Sequence, residues 1–192
     1  EVYDSAVVAE ITHLATLYHD DVMDEAPTRR GVPTAHKVWG NSIAILTGDL
    51  LFARASQIAA YLGDEIIRLQ SSTFERLCLG QMHETVGPNA TENPIDHYIQ
   101  VLADKTGSLI AASAHMGLLA GGGDRKYEDA LIEFGEAVGV AVVLPVDLAE
   151  FEFEFAFAAL AAAIEPKVAE QANARANKVP EKTETNFCNF TL

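Results

Sequence analysis

The segment His13–Asp24, with the sequence HLATLYHDDVMD, decides the fold of this chain. Apolar residues recur there at helical spacing, and the same pattern begins as early as Val7. At 100° per residue, His13, Asp20 and Asp24 fall within about 40° of one another around a helix. The segment therefore predicts an amphipathic helix that presents a histidine and two carboxylates along one stripe.

The carboxylates Asp20, Asp21 and Asp24 lie at the C-terminal end of this predicted helix, where the helix dipole already places partial negative charge. Carboxylate oxygens suit Mg²⁺, which bridges protein groups to substrate phosphates. Arg29 and Arg30 follow in a Thr-Arg-Arg-Gly segment, and guanidinium groups bind phosphate through two hydrogen bonds. The pattern predicts a site for Mg²⁺ and a diphosphate. The alternative is a solvated acidic helix end that the arginines neutralise.

The same helical spacing recurs along the chain, interrupted by short breaks rich in Gly, Pro and Asn. It predicts five helices: Val7–Met23, Ile43–Leu62, Ile66–Val86, Ile95–Leu119 and Ala130–Leu144. Asn93 and Pro94 have the residue types of an N-cap and a first helical position. Strand-like alternation is nearly absent before residue 150, so we predict an all-α, antiparallel helix bundle.

The pattern changes after Pro145. Phe151–Phe155 alternates with period two, Ala156–Ile164 is rich in alanine, and the chain from Asn177 is polar, a composition typical of disordered segments. We predict one helical domain over residues 1–176, with 151–176 unassigned, and a polar tail over 177–192.

Composition excludes several classes of function. The 192 residues are 49% hydrophobic, enough for one core, and a formal charge of −15 argues against a nucleic-acid partner. Cys78 and Cys188 form no C-x-x-C pair, so no zinc site is predicted. No stretch of about 18 uncharged apolar residues is present, so we expect a cytoplasmic protein without a transmembrane segment.

These motifs resemble the trans-isoprenyl diphosphate synthase, or polyprenyl synthetase, family, in particular its bacterial medium- and long-chain members. The spacing H-x6-D-D-x-x-D-x4-R-R-G is similar to the family's first aspartate-rich motif with its flanking His and Arg pair. Further similar segments follow in the same order: Trp39–Asn41, Thr47–Phe52, Gly80–Glu84 and Asp104–Gly107. The resemblance covers roughly residues 6–150 and implies an isoprenoid-synthase bundle around a central apolar cavity.

The resemblance implies a Mg²⁺-dependent enzyme that condenses isopentenyl diphosphate with an allylic prenyl diphosphate into a linear all-trans polyprenyl diphosphate. Asp20 and Asp24 would bind Mg²⁺ with Asp21 close by, and Arg29 and Lys105 would contact the allylic diphosphate. The other implied contacts are Arg30 and His13 with the diphosphate of isopentenyl diphosphate, and Gln81 and Thr106 within the cavity. Read without the family, Lys105 is either aimed into a bundle cavity or an ordinary surface lysine.

The second aspartate-rich motif of the family is degenerate here. The corresponding stretch keeps Asp147, has Glu150 where an Asp is expected, and has Val146 in place of the first carboxylate. Pro145 also disrupts a helix interior. We predict Asp147 and Glu150 as the remaining metal ligands, with Asp147 also near substrate. The alternative is a non-catalytic or inactive subunit of a heteromeric synthase, and a terpene cyclase is disfavoured by His13 and the Arg29-Arg30 pair.

Two further expectations follow from the resemblance. Product length in the family is set by side chains one turn before the first motif, where this chain has Ala15 and Thr16. Neither side chain has the bulk to stop a growing tail, so we predict a product longer than fifteen carbons. The family is typically homodimeric, so we expect a homodimer.

Overall fold

The structure, a computed structural model, describes residues 1–143. The predictions for Asp147 and Glu150, and for segments 151–176 and 177–192, lie outside the described residues. The helices in residues 1–143 are α1 (Val2–Met23), α2 (Ala35–Trp39), α3 (Asn41–Leu62), α4 (Asp64–Val86), α5 (Pro94–Leu102), α6 (Ser108–Ala120) and α7 (Glu128–Val143). A π-helical turn, Ala103–Gly107, joins α5 to α6, and a 3₁₀ turn, Arg125–Tyr127, precedes α7. The all-α prediction is confirmed.

Helices α1, α3 and α4 pack as antiparallel neighbours. Between α1 and α3, a Cβ added to Gly48 would lie 3.1 Å from the Ala15 carbonyl oxygen, and the Ile45 carbonyl accepts from His19 Nε2 at 3.1 Å. Between α3 and α4, the rings of Phe52 and Phe74 stack with centroids 3.7 Å apart. Small buried residues on α3 allow α1 to approach closely: Ala44, Gly48, Ala55 and Ala59.

Helices α6 and α7 cross at small residues. A Cβ on Gly135 would lie 2.5 Å from Ala111 Cα, and one on Gly139 would overlap Gly107 in the π-helical turn. Because these backbones touch, a larger side chain at either position would force the helices apart, typically at about 1–3 kcal/mol. The crossing therefore fixes α7 against the turn that carries Lys105.

The apolar core lies in the half of the bundle away from the acidic end of α1. Its buried members are Val8, Ala55, Ala59, Ile66, Ala112 and Met116. They come from α1, α3, α4 and α6, so burial of their side chains ties four helices together through the hydrophobic effect. The acidic end of α1 is thereby free to form a polar site.

Two connections show why the helices begin and end where they do. Gly63 alone separates α3 from α4 and has φ of 117°, a conformation that L side chains rarely adopt. Asn93 caps α5, its Oδ1 accepting from the Ile95 amide at 2.9 Å, and Pro94 takes the first turn. The predicted start of this helix is confirmed.

A small hairpin between α1 and α2 was not predicted. Strand β1 (Thr28–Arg29) pairs antiparallel with β2 (Val32–Pro33), and Arg30 and Gly31 form the turn with φ of 50° and 78°. Positive φ at both turn residues is the geometry of a two-residue hairpin loop, where Asn-Gly is favoured over Arg-Gly. The strands are too short to give an alternating pattern, which is why sequence periodicity missed them.

A polar cluster joins the starts of α4 and α7 to α6. One ligand atom each of Glu65, His115 and Glu128 lies within 4.8 Å of the others. Arg125 donates to both Glu65 oxygens at 2.5 and 2.6 Å and to Glu128 Oε2 at 2.8 Å. Because this guanidinium already supplies the positive charge, we assign the cluster to helix packing.

Helix α3 has one apolar side that nothing in residues 1–143 covers. By length and composition it is the one described helix that could cross a membrane, with mean hydropathy 1.3 and 22% of the segment buried. Ile43, Leu46 and Leu50 share a stripe and are 50–63% exposed. The opposite face packs on α1, as in the core or interface helix of a globular protein. The absence of a transmembrane segment stays a prediction.

Candidate active site

A cavity of about 380 Å³ opens beside the acidic end of α1. Its wall on α4 is an apolar stripe with helical spacing that ends at a polar residue: Phe74, Leu77, Cys78 and Gln81. Thr16 and Asp20 from α1 and Lys105 from the π-helical turn also line it. The predicted apolar cavity is therefore present, and Asp20, Gln81 and Lys105 are among the polar residues that line it.

Asp20 is the most perturbed carboxyl group of this site. Its pKa is raised to about 6, chiefly by burial; the nearby charges of Asp24 and Glu84 also raise it, whereas Lys105 and Arg29 oppose the shift. Removing a carboxylate from water disfavours its charged form unless a cation compensates. The charges of the predicted residues Asp24, Arg29 and Lys105 all act on Asp20, and the two cations do not offset the effect of its burial.

Asp21 faces away from this cavity and holds the hairpin. Its side chain is buried, and Oδ1 accepts from Arg29 Nε at 2.6 Å. The hairpin is tied to α1 a second time, because Thr34 Oγ1 donates to the Ala26 carbonyl at 2.7 Å. Asp21 therefore places Arg29 near the other carboxylates, a positioning contact that the linear motif does not reveal.

His13 lies within the electrostatic influence of both hairpin arginines. Burial, together with the charges of Arg30 and Arg29, lowers its pKa to about 4. The imidazole is therefore neutral near pH 7 and retains one N–H donor. Arg30 adopts a left-handed backbone conformation, which costs an L-residue roughly 1–2 kcal/mol. The structure thus brings His13, Arg29 and Arg30 together as predicted.

Lys105 is paired with an acid that sequence reasoning missed. Its ammonium forms an ion pair with Glu84 on α4, and its side chain is 24% exposed. Lys105 also lines the cavity, which favours the interpretation that it is aimed into the bundle over that of an ordinary surface lysine. Thr106 is half-buried and does not line the cavity.

The donor set of this site fits a hydrated divalent cation. Asp20 and Asp24 offer hard oxygen ligands. Because the pKa of Asp20 is raised, a bound cation would stabilise its charged form. Gln81 Oε1 is buried without a hydrogen-bond partner, so a metal-bound water could donate to it. These observations favour Mg²⁺, whose coordination commonly retains several waters.

Sequence reasoning missed several residues that complete the site. His19 lines the cavity, and its Nε2 lies 3.3 Å from Asp49 Oδ1. The stripe from Phe74 to Gln81 could have been found from its i, i+3, i+4, i+7 spacing. Of the two predicted length-determining residues, Thr16 lines the cavity, whereas Ala15 is fully buried at the contact with Gly48.

Comparison with known proteins agrees with this geometry. The family model described as polyprenyl synthetase matches residues 1–149. The chain belongs to the polyprenyl synthetase family. The resemblance drawn from its first aspartate-rich motif is confirmed.

Relatives of the chain include curated enzymes and a solved structure. It is 45% identical over 144 residues to a nonaprenyl diphosphate synthase of Mycobacterium tuberculosis, covering 75% of this chain and 43% of that protein. It is 36% identical over 147 residues to component 2 of a heptaprenyl diphosphate synthase of Geobacillus stearothermophilus, covering 76% and 46%. A decaprenyl diphosphate synthase of Rhodobacter capsulatus superposes with a TM-score of 0.68 at 27% identity, covering 93% and 61%. The chain thus spans under half the length of these two curated relatives.

Proposed function

We propose that this chain is a Mg²⁺-dependent prenyltransferase, which condenses isopentenyl diphosphate with an allylic prenyl diphosphate into a linear all-trans polyprenyl diphosphate. One observation carries the proposal: Asp20 and Lys105 line a mainly apolar cavity, and the charges of Asp24 and Arg29 lie close enough to act on Asp20. Such an arrangement suits a substrate with a charged diphosphate and a hydrocarbon tail.

Each side chain has a distinct proposed role. Asp20 and Asp24 would hold Mg²⁺, which supplies charge neutralisation of the diphosphate when bound. Arg29, oriented by Asp21, and Lys105, released from Glu84, would hold the allylic diphosphate. Arg30 and the neutral His13 would hold the diphosphate of isopentenyl diphosphate, with Thr106 and Gln81 nearby.

These side chains would promote a reaction that proceeds through carbocations. The allylic C–O bond breaks and its electron pair leaves with the diphosphate, where Arg29 and Lys105 stabilise the developing charge. The double bond of isopentenyl diphosphate attacks the allylic cation, and a proton lost from the new cation passes to the diphosphate. Phe74, Leu77 and Met82 would keep water from the cations, because they line the cavity with apolar surface.

The test is incubation of the full chain with farnesyl diphosphate and labelled isopentenyl diphosphate, with and without Mg²⁺, followed by sizing of the products. Mg²⁺-dependent label in linear prenyl diphosphates is the expected result. It would indicate that activity does not require a third carboxylate in the second motif besides Asp147 and Glu150. Cyclised hydrocarbons formed from farnesyl diphosphate alone would contradict the proposal and favour a cyclase.

A second candidate function is a non-catalytic or inactive subunit of a heteromeric synthase. Two observations favour it: Val146 stands in place of a carboxylate of the second motif, and a relative is named as one component of a heptaprenyl diphosphate synthase. Retained Mg²⁺-dependent binding of farnesyl diphosphate without incorporation of label would select this candidate.

We propose a product longer than fifteen carbons and expect Thr16→Phe to shorten it. Thr16 lies one turn before Asp20 and lines the cavity, so a phenyl ring there would obstruct a growing tail. Sizing of labelled products checks this. Ala15→Phe is the comparison variant, and we expect it to lower stability instead, because Ala15 is fully buried against α3. Unchanged product sizes in Thr16→Phe would contradict the role of Thr16.

We also propose that the chain forms a homodimer through the exposed stripe of α3. Ile43, Leu46 and Leu50 form an apolar surface of the kind that protein interfaces cover. Leu50→Glu is expected to convert the dimer into a monomer in light-scattering measurements. Tyr127→Glu, also at an exposed aromatic or apolar position, is the control and should remain dimeric. A dimer unaffected by Leu50→Glu would place the interface elsewhere.

We further expect the protein to be cytoplasmic.

A further inference from the structure

The turn that carries Lys105 is unusual in its hydrogen bonding. Residues Ala103–Gly107 form a π-helical turn between two α-helical segments. Such turns widen the helix by one residue and are frequent at functional sites, because they change the direction of the side chains that they carry. Asp104, the neighbour of Lys105, is 6% exposed and lies inside this turn. A buried carboxylate beside a substrate-facing lysine requires an explanation.

Both oxygens of Asp104 are hydrogen bonded. Oδ1 accepts from Arg76 Nε on α4 at 3.0 Å, and Oδ2 accepts from Gln100 Nε2 on α5 at 2.8 Å. Arg76 also donates through Nη1 to Glu136 Oε1 on α7 at 2.5 Å. One guanidinium thus joins two carboxylates on separate elements. Its planar, forked arrangement of donors suits this bridging role, whereas the single ammonium group of a lysine does not.

The π-helical turn has little room in which to relax. A Cβ on Gly80 of α4 would lie 2.9 Å from Asp104 Cβ and 3.0 Å from Lys105 Cγ. On the other side, a Cβ on Gly139 of α7 would overlap Gly107. The turn is therefore held between α4 and α7, and the direction of Lys105 depends on how its neighbour Asp104 is anchored.

We propose that Arg76 is a positioning residue, which fixes the π-helical turn through Asp104 so that the Lys105 ammonium faces Asp20 across the cavity. The proposal rests on the diphosphate-binding role of Lys105. Arg76 does not line the cavity. Without the Arg76 guanidinium, no positive charge lies between the carboxylates of Asp104 and Glu136. The two carboxylates then repel each other, and the repulsion displaces the π-helical turn.

The test measures farnesyl diphosphate binding in the presence of Mg²⁺ by calorimetry on the full chain. The variants are Arg76→Lys, Lys105→Met and their combination, with Arg68→Lys as the control. Arg68 lies two turns earlier on α4 in an exposed pair, 3.9 Å from Asp64. We expect Arg76→Lys to weaken binding about 10-fold in the wild-type background and about 2-fold or less in the Lys105→Met background, because residues in one network are not additive.

The outcomes separate this inference from the proposed function. Equal effects of Arg76→Lys in both backgrounds, or no effect in either, would overturn the role of Arg76. Unchanged affinity in Lys105→Met would instead overturn the role of Lys105, and the inference with it. If circular dichroism shows that Arg76→Lys does not fold, Asp104→Asn is used in its place. Asparagine keeps the shape of the aspartate side chain, and the effect of Asp104→Asn on binding is expected to depend on Lys105 in the same way.

Discussion

Replacing Asp20 with Asn is expected to stabilise the metal-free protein at pH 7 and to abolish its Mg²⁺-dependent binding of farnesyl diphosphate. Folding raises the pKa of Asp20 from 3.8 to about 6. The stability that the protonated carboxyl contributes is present below pH 3.8 and is lost as the pH rises through 6. At pH 7 the difference corresponds to at most about 3 kcal/mol, and partial solvation reduces it to about 1–2 kcal/mol.

Thermal melts check the stability half of this prediction. Asp20→Asn should raise Tm by about 2–6 °C at pH 7 and by much less at pH 4, where the folded protein already carries a protonated Asp20. His13 titrates in the same pH range in both proteins, so its contribution cancels in the comparison. Asp4→Asn, on the exposed first turn of α1, is the matched control and should not raise Tm. A lower Tm for Asp20→Asn at pH 7 would refute the electrostatic cost.

The binding half of the prediction has the larger effect. Loss of one metal carboxylate should reduce kcat/KM by on the order of 10²–10³, if the chain is active, because it removes several kcal/mol of charge stabilisation. Mg²⁺ with farnesyl diphosphate should raise the Tm of the wild type and leave that of Asp20→Asn unchanged. Equal stabilisation of both proteins would mean that Asp20 is not a metal ligand.

Lys105→Met and Glu84→Gln are expected to change diphosphate affinity in opposite directions. Loss of the ammonium removes a charged hydrogen bond, worth about 1.5–3 kcal/mol, so Kd for farnesyl diphosphate should rise about 10–100-fold. Glu84→Gln frees Lys105 from its ion pair and removes one of the charges that raise the pKa of Asp20, so affinity should increase several-fold.

Calorimetric titration with farnesyl diphosphate at constant Mg²⁺ separates the two variants. Lys37→Met, at an exposed position of α2, is the control for loss of a positive charge and should bind as the wild type does. If Glu84→Gln weakened binding to the same extent as Lys105→Met, Glu84 would be needed to aim Lys105 and would not compete with the substrate.

The residue types that form the candidate site could be predicted from the sequence, whereas the contacts between them could not. Asp20, Asp24 and His13 share a stripe of one helix, and the spacing alone fixes that. The pairing of Asp21 with Arg29 spans a hairpin that has no periodic signal, because its strands are two residues long. The proximity of residues is therefore predictable from sequence where they lie on one helix, and it is not predictable where the chain reverses.

The sequence by itself determined the helices, their caps at Asn93 and Gly63 and the acidic stripe of α1, because periodicity and backbone conformational preferences are local properties. Only the tertiary structure decided that Lys105 meets Glu84, that Arg76 anchors Asp104, and that Asp20 has a raised pKa. Those contacts join residues from separate helices. They depend on how closely glycines such as Gly48, Gly80 and Gly139 let the helices approach, and on the burial that follows.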